Sequence, residues 1–79
     1  MISDKRKDAP VHWIGVVPDV CDICQQPIRE TFVDGATRLS SSWANMDLRC
    51  LRMHGRGLGR GLGQMYRRQD DGRWLKVEG

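Results

Sequence analysis

The residues of this chain with the most specific chemistry are its three cysteines: Cys21-Asp22-Ile23-Cys24 sets two around a two-residue spacer, and Cys50 follows later. A turn of that length points two thiolates to the same side, where one metal ion can take both. His54 lies one helical turn beyond Cys50 on the same face, so a thiolate and an imidazole can reach a tetrahedral ion together. Asp47, in the turn before Cys50, offers a carboxylate oxygen at nearly the metal–ligand distance of an imidazole nitrogen. The expected ion is Zn2+, held by Cys21, Cys24, Cys50 and either His54 or Asp47. An odd number of cysteines cannot close into a full set of internal disulfides, and no βαβ unit adjoins the Cys21-x2-Cys24 pair as in a thioredoxin-type redox site. His12, beside Trp13 on an apolar segment, reads as a packing or surface residue rather than a ligand.

Four protein ligands leave no open coordination position, so the metal is expected to be structural rather than catalytic. Other routes to catalysis are poorly furnished. Ser40 to Ser42 lack a nucleophile-elbow setting, no carboxylate pair is placed in a pocket frame, and a chain of 79 residues has little volume with which to enclose a substrate. The run Gly55-Arg56-Gly57-Leu58-Gly59-Arg60-Gly61-Leu62-Gly63 alternates strictly, which fits neither a dinucleotide fingerprint nor a Walker loop. It reads as a wrap-around loop with Leu58 and Leu62 turned into the core.

The elements that must position these ligands follow from patterning. Residues 1–10 are charged and aperiodic, a flexible tail ahead of one domain over 11–79. Val11 to Val17 is rich in β-branched and aromatic residues and reads as a short strand packed across the metal-bound core. Ile28 to Val33 and Ala36 to Leu39, joined by Asp34-Gly35, predict a β-hairpin. Asn45 is placed to cap a helix over Met46 to His54 that ends at Gly55. Gln64 to Arg68 and Arg73 to Val77, around Asp70-Asp71-Gly72, predict a second hairpin. So short a chain buries little apolar surface, and its aromatic residues are few; a metal staple would compensate.

The order of cysteine pair, hairpin and ligand-bearing helix resembles the treble-clef group of zinc fingers. That resemblance implies two ligands from a knuckle, matched by Cys21 and Cys24, and two from the first turn of a helix. Cys50 matches the second helix ligand, and Asp47 falls where the family usually has Cys. The stretches Phe32 to Thr37, Trp43 to Met46, the Gly-Leu-Gly run and Trp74 to Gly79 are also similar to small uncharacterised phage and prophage proteins, a likeness that implies no activity.

Charge is distributed unevenly. Residues 1–48 hold five Lys/Arg against seven Asp/Glu, or −2, while residues 49–79 hold eight against three, or +5. The basic half supplies candidate contacts at Arg52, Arg56, Arg60, Arg67, Arg68 and Arg73, with Arg49 and Lys76 beside them and Trp74 as an aromatic anchor. The leading expectation is a non-enzymatic zinc module that binds a protein partner as inhibitor or adaptor. Nucleic-acid binding through the same arginines is the alternative, and a structural role in a virion or larger complex the second alternative. No apolar run is long enough for a membrane span and the start is unlike a signal peptide, so the expected location is the cytoplasm, that of the host if phage-encoded.

Overall fold

Side-chain alternation along one strand divides the molecule into two small cores. Phe32 and Val33 are adjacent in β1 (Thr31–Ala36) and both fully buried, yet successive strand residues point to opposite faces. The computed structural model, which describes residues 10–40 and 42–79, resolves this by covering the sheet on both sides. After β1 come β2 (Trp43–Met46), the helix α1 (Leu48–His54), β3 (Gly63–Arg68) and β4 (Trp74–Glu78). The sheet has four antiparallel strands in the order β2-β1-β3-β4. Among the described residues the fold is a small α+β arrangement with one short helix.

On one face Val33 pairs across the sheet with Met46 and Met65; Val33 and Met46 are buried together with Cys21 and Cys50 beneath the helix and the cysteine-bearing turn, and Met65 packs partly buried against them. On the other face Phe32, Tyr66 and Trp74 form an aromatic cluster closed by Trp13. Trp13 stands edge-on to Phe32 and Tyr66, with centroids 5.1 and 5.3 Å away, while Phe32 and Tyr66 stack at 5.3 Å. Edge and offset geometries of this kind satisfy the ring quadrupoles in addition to burying area. Four of the five aromatic residues are thus spent on one small cluster.

Three expectations from the sequence are corrected here. Asp34-Gly35 does not turn the chain; both residues lie inside β1, and the hairpin connection falls instead between Ala36 and Trp43. The glycine serves strand approach: a Cβ at Gly35 would lie 2.8 Å from the Leu62 carbonyl oxygen and 3.1 Å from the Gly63 Cα. The connection is organised by Thr37, whose buried hydroxyl accepts from the Ser40 N–H at 3.4 Å. Second, Val11 to Val17 makes no full strand and does not cross the cysteine-bearing face. It lies along the outer edge of β4, bridging His12 to Leu75, with Trp13 N–H to the Trp74 carbonyl at 2.9 Å and Lys76 N–H to the Val11 carbonyl at 2.7 Å. Third, the helix cap is Asp47, not Asn45, because Asn45 and Met46 complete β2. The charged tail over residues 1–10 lies, up to residue 9, outside the described residues.

The second hairpin, β3 with β4, forms as expected, with a bulge between Met65 and Tyr66. The glycine run is a loop that folds back on the first hairpin: Arg56 N–H donates to the Ala36 carbonyl at 3.1 Å, and Ala36 N–H donates to the Leu62 carbonyl at 2.8 Å. Leu58 packs against the core as expected, whereas Leu62 stays 38% exposed. Its backbone, rather than its side chain, is what the sheet uses.

Both sheet edges are occupied. The N-terminal segment covers β4, and at β2 the N–H of Asp22 donates to the Asn45 carbonyl at 2.9 Å while the Asn45 N–H donates to the Asp22 carboxylate at 2.8 Å. Among the described residues no helix is long and apolar enough to cross a membrane.

Candidate metal centre

The turn carrying Cys21 and Cys24 is pinned at its base by a Val20–Pro27 bridge, and is closed by Cys21 N–H to the Gln26 carbonyl at 2.9 Å and Gln25 N–H to the Cys21 carbonyl at 3.0 Å. Gln25 takes a left-handed conformation, φ 65°, which lets the chain reverse tightly after Cys24. The Ile23 N–H points at the Cys21 sulfur, 3.4 Å away. Such N–H groups favour a thiolate over a thiol.

Asp47 supplies the other half in two ways at once. One carboxylate oxygen, Oδ1, accepts from the Cys50 N–H at 2.8 Å and so caps α1; the other, Oδ2, accepts from the Cys24 thiol at 3.1 Å. Capping places Cys50 in the first turn of the helix, facing the buried Cys21. One ligand atom from each of Cys21, Cys24, Asp47 and Cys50 lies within 4.8 Å of all the others. With Zn–S bonds of about 2.3 Å, the edge of a sulfur tetrahedron is roughly 3.8 Å, so closing the shell on one ion requires only a small contraction. A multi-iron cluster, by contrast, spreads its cysteines over several metal atoms.

His54 is not part of this group. With Asp47 as cap, the first turn already presents a carboxylate beside Cys50, and His54 lies a full turn on, where its carbonyl accepts from the Arg38 N–H at 2.7 Å. Cys21 is fully buried and Cys50 nearly so, while Cys24 and Asp47 are half-buried. The three cysteines are free of disulfides.

The crowding of four acids shapes their proton affinities. Burial raises the Cys50 thiol, and crowding by Cys21, Cys24 and Asp47 raises it further, far above the usual range. At Cys21 burial also pushes upward, but the backbone N–H groups of Cys24, Asp47 and Ile23 together with the Cys50 thiol outweigh it, and the net shift is downward. At Cys24 the Gln26 N–H pulls downward, yet the Asp47 carboxylate and burial prevail and the thiol rises. Asp47, despite burial, is held below the ordinary carboxylate range by the Cys50 N–H and the neighbouring thiols. Four acids this close cannot all ionise unless a cation joins them. Three cysteines and an aspartate placed in this way can hold a metal ion.

The residues expected to contact a partner separate into distinct places. Trp74 is 7% exposed and belongs to the aromatic core, so it is no surface anchor; the exposed tryptophan is Trp43, at 47%. Arg73 is engaged with Asp71 at 2.9 Å. Arg67 and Arg68 line a depression of about 750 Å³ near the start of α1, among Glu30 and Asp70. Arg52 and Arg56 instead line a smaller one of about 330 Å³ at the end of α1, joined by Arg38. Arg60 is exposed on the glycine loop. Arg38 had no signal in the sequence, because its place depends on the backbone pairing of residues 36–38 with 54–56.

No family model, curated protein or solved structure matches this chain.

Proposed function

We propose that this protein is a small, non-enzymatic zinc-stapled module that binds another protein. The observation that carries the metal reading is the convergence of Cys21, Cys24, Asp47 and Cys50 within 4.8 Å. Zinc suits a mononuclear, sulfur-rich set with one hard oxygen, and four protein ligands suit a structural rather than a catalytic ion. A knuckle pair, a hairpin and two ligands from the first turn of a helix are the arrangement of a treble clef, with Asp47 in the place of a cysteine. Three unlinked thiols accord with a reducing cytoplasmic setting.

The ion's role follows from how little else holds this face of the sheet. Two of its four buried residues, Cys21 and Cys50, are themselves ligands, leaving Val33 and Met46 as the fully buried apolar pair. Metal binding and folding should therefore be one equilibrium. A scaffold stapled in this manner can leave large side chains such as Trp43 and Met53 outside, and exposed groups of that kind favour a recognition surface.

Native mass spectrometry of protein prepared without chelator tests the metal reading. One zinc per chain is expected, with loss of helical and aromatic circular dichroism when a strong chelator removes it. Retention of a cooperative thermal transition by metal-free protein with all three thiols reduced would refute it.

A further inference from the structure

The end of α1 carries a positive concavity that the metal centre does not explain. Arg38, Arg52 and Arg56 line a depression of about 330 Å³ floored by Leu51, Leu58 and the backbone of Gly55 and Gly57, with no carboxylate among the lining residues. The three arginines come from separate segments, brought together by Arg38 N–H to the His54 carbonyl at 2.7 Å and Arg56 N–H to the Ala36 carbonyl at 3.1 Å. Arg56 is further oriented by its Nε, which donates to the Thr37 carbonyl at 3.0 Å and leaves its terminal nitrogens available. Among the described residues the one ion pair is Arg73 with Asp71, so none of these three guanidinium groups is neutralised there. Residues 38–62 contain five arginines and a single carboxylate, Asp47, which is turned into the cysteine group. Charge complementarity thus calls for an anionic ligand with several oxygens.

The surroundings identify its class. Leu51 and Leu58, both partly buried against the core, put apolar surface among the three arginines. Apolar side chains beside forked donors match a peptide that alternates acidic and apolar residues. A nucleic-acid backbone would call for a continuous basic track, and here the other basic pair, Arg67 and Arg68, sits toward the opposite end of the helix among Glu30 and Asp70. We infer that the cleft formed by Arg38, Arg52 and Arg56 at the end of α1, with Leu51 and Leu58 in its lining, is the docking site for an acidic, apolar-containing segment of a partner protein. The inference rests on the zinc-stapled recognition module proposed above and names its binding face.

Fluorescence anisotropy of the zinc-loaded protein with a labelled short peptide of alternating Glu and Leu tests this, alongside a labelled single-stranded DNA of equal charge. Saturable peptide binding is expected, weakened roughly tenfold or more by the pair Arg52→Glu and Arg56→Glu and only slightly by the pair Arg67→Glu and Arg68→Glu. Replacing each Leu of the peptide by Gln should weaken its binding severalfold without changing its salt dependence. Amide NMR shifts on titration should centre on residue 38 and residues 52–58. Three outcomes overturn the inference: no saturable binding of the peptide, equal loss from both arginine pairs, or tighter binding of the DNA through the same arginines. Zinc content measured on every variant separates these failures from failure of the metal reading, because the arginines are not ligands and one ion per chain should persist.

Discussion

Asp47 is the residue at which cap and ligand can be pulled apart, since its two oxygens are committed to different partners: Oδ1 to the Cys50 N–H at 2.8 Å and Oδ2 to the Cys24 sulfur at 3.1 Å. Apparent zinc binding by small structural sites is about 10–16 kcal/mol, which over four ligands is roughly 3 kcal/mol each, or about two orders of magnitude in affinity. Asp47→Asn keeps a good cap acceptor but removes the anionic ligand, so it should lower zinc affinity about a hundredfold with the helix cap retained. Asp47→Cys should do the reverse, retaining zinc but losing about 1 kcal/mol of helix capping. Asp47→Ala should show both losses, and its excess over Asp47→Asn should equal the cap. Competition against a chromophoric chelator gives the affinities, and cobalt substitution gives the thiolate count, with stronger sulfur-to-metal charge transfer in the Asp47→Cys variant than in the wild type. Wild-type zinc affinity in both Asp47→Asn and Asp47→Ala would refute the assignment of Asp47 as ligand.

Other perturbations address the fold that holds the site. Gly35→Ala places a Cβ 2.8 Å from the Leu62 carbonyl oxygen, a backbone atom with little room to yield, and should cost about 1–3 kcal/mol in denaturant unfolding of the zinc-loaded protein. Trp74→Ala empties the aromatic cluster and should cost about 3–5 kcal/mol, whereas Trp43→Ala should change stability by less than about 1 kcal/mol, as the same unfolding measurement will show. Asp34 has its carboxyl raised by burial first and by the nearby Asp22 second. A raised carboxyl favours folding below its unfolded value and loses that contribution as pH rises through its folded value, so Asp34→Asn should raise the melting temperature at neutral pH, with the gain shrinking as the solution is acidified. The new amide would also bring a donor to the strand opposite Asn45, whose buried Oδ1 has no hydrogen-bond partner among the described residues.

Much of the candidate metal site is legible in the sequence because ligand chemistry is local. Cys21 and Cys24 share one turn, and Asp47 and Cys50 share one turn of helix, so spacing alone brings each pair together. Choosing between His54 and Asp47 required the start of the helix, which hinges on whether Asn45 and Met46 belong to strand or helix. Their strand assignment comes from pairing with Asp34 and Val33, a tertiary fact. The Asp34-Gly35 pair misled for a related reason: a glycine demanded by close passage of neighbouring strands has the same spelling as one demanded by a hairpin turn. Val11 to Val17 has strand composition, but only a few of its backbone groups meet β4 before Gly15, at φ 102°, turns the chain away. At the second hairpin turn chemistry and strand pattern agree, and β3 and β4 pair as they dictate.

Asp22 lies between two zinc-ligand candidates and also occupies the outward N–H and carbonyl of Asn45 on β2. An unguarded edge strand is a template for intermolecular pairing and, through it, for aggregation. If an ion is held there, its loss would free the cysteine turn as the chain opens, and in that opening the β2 margin of one molecule would be bared to that of the next. An ion held there would thus have a second, colloidal service: it would keep a slender sheet from polymerising with its own kind.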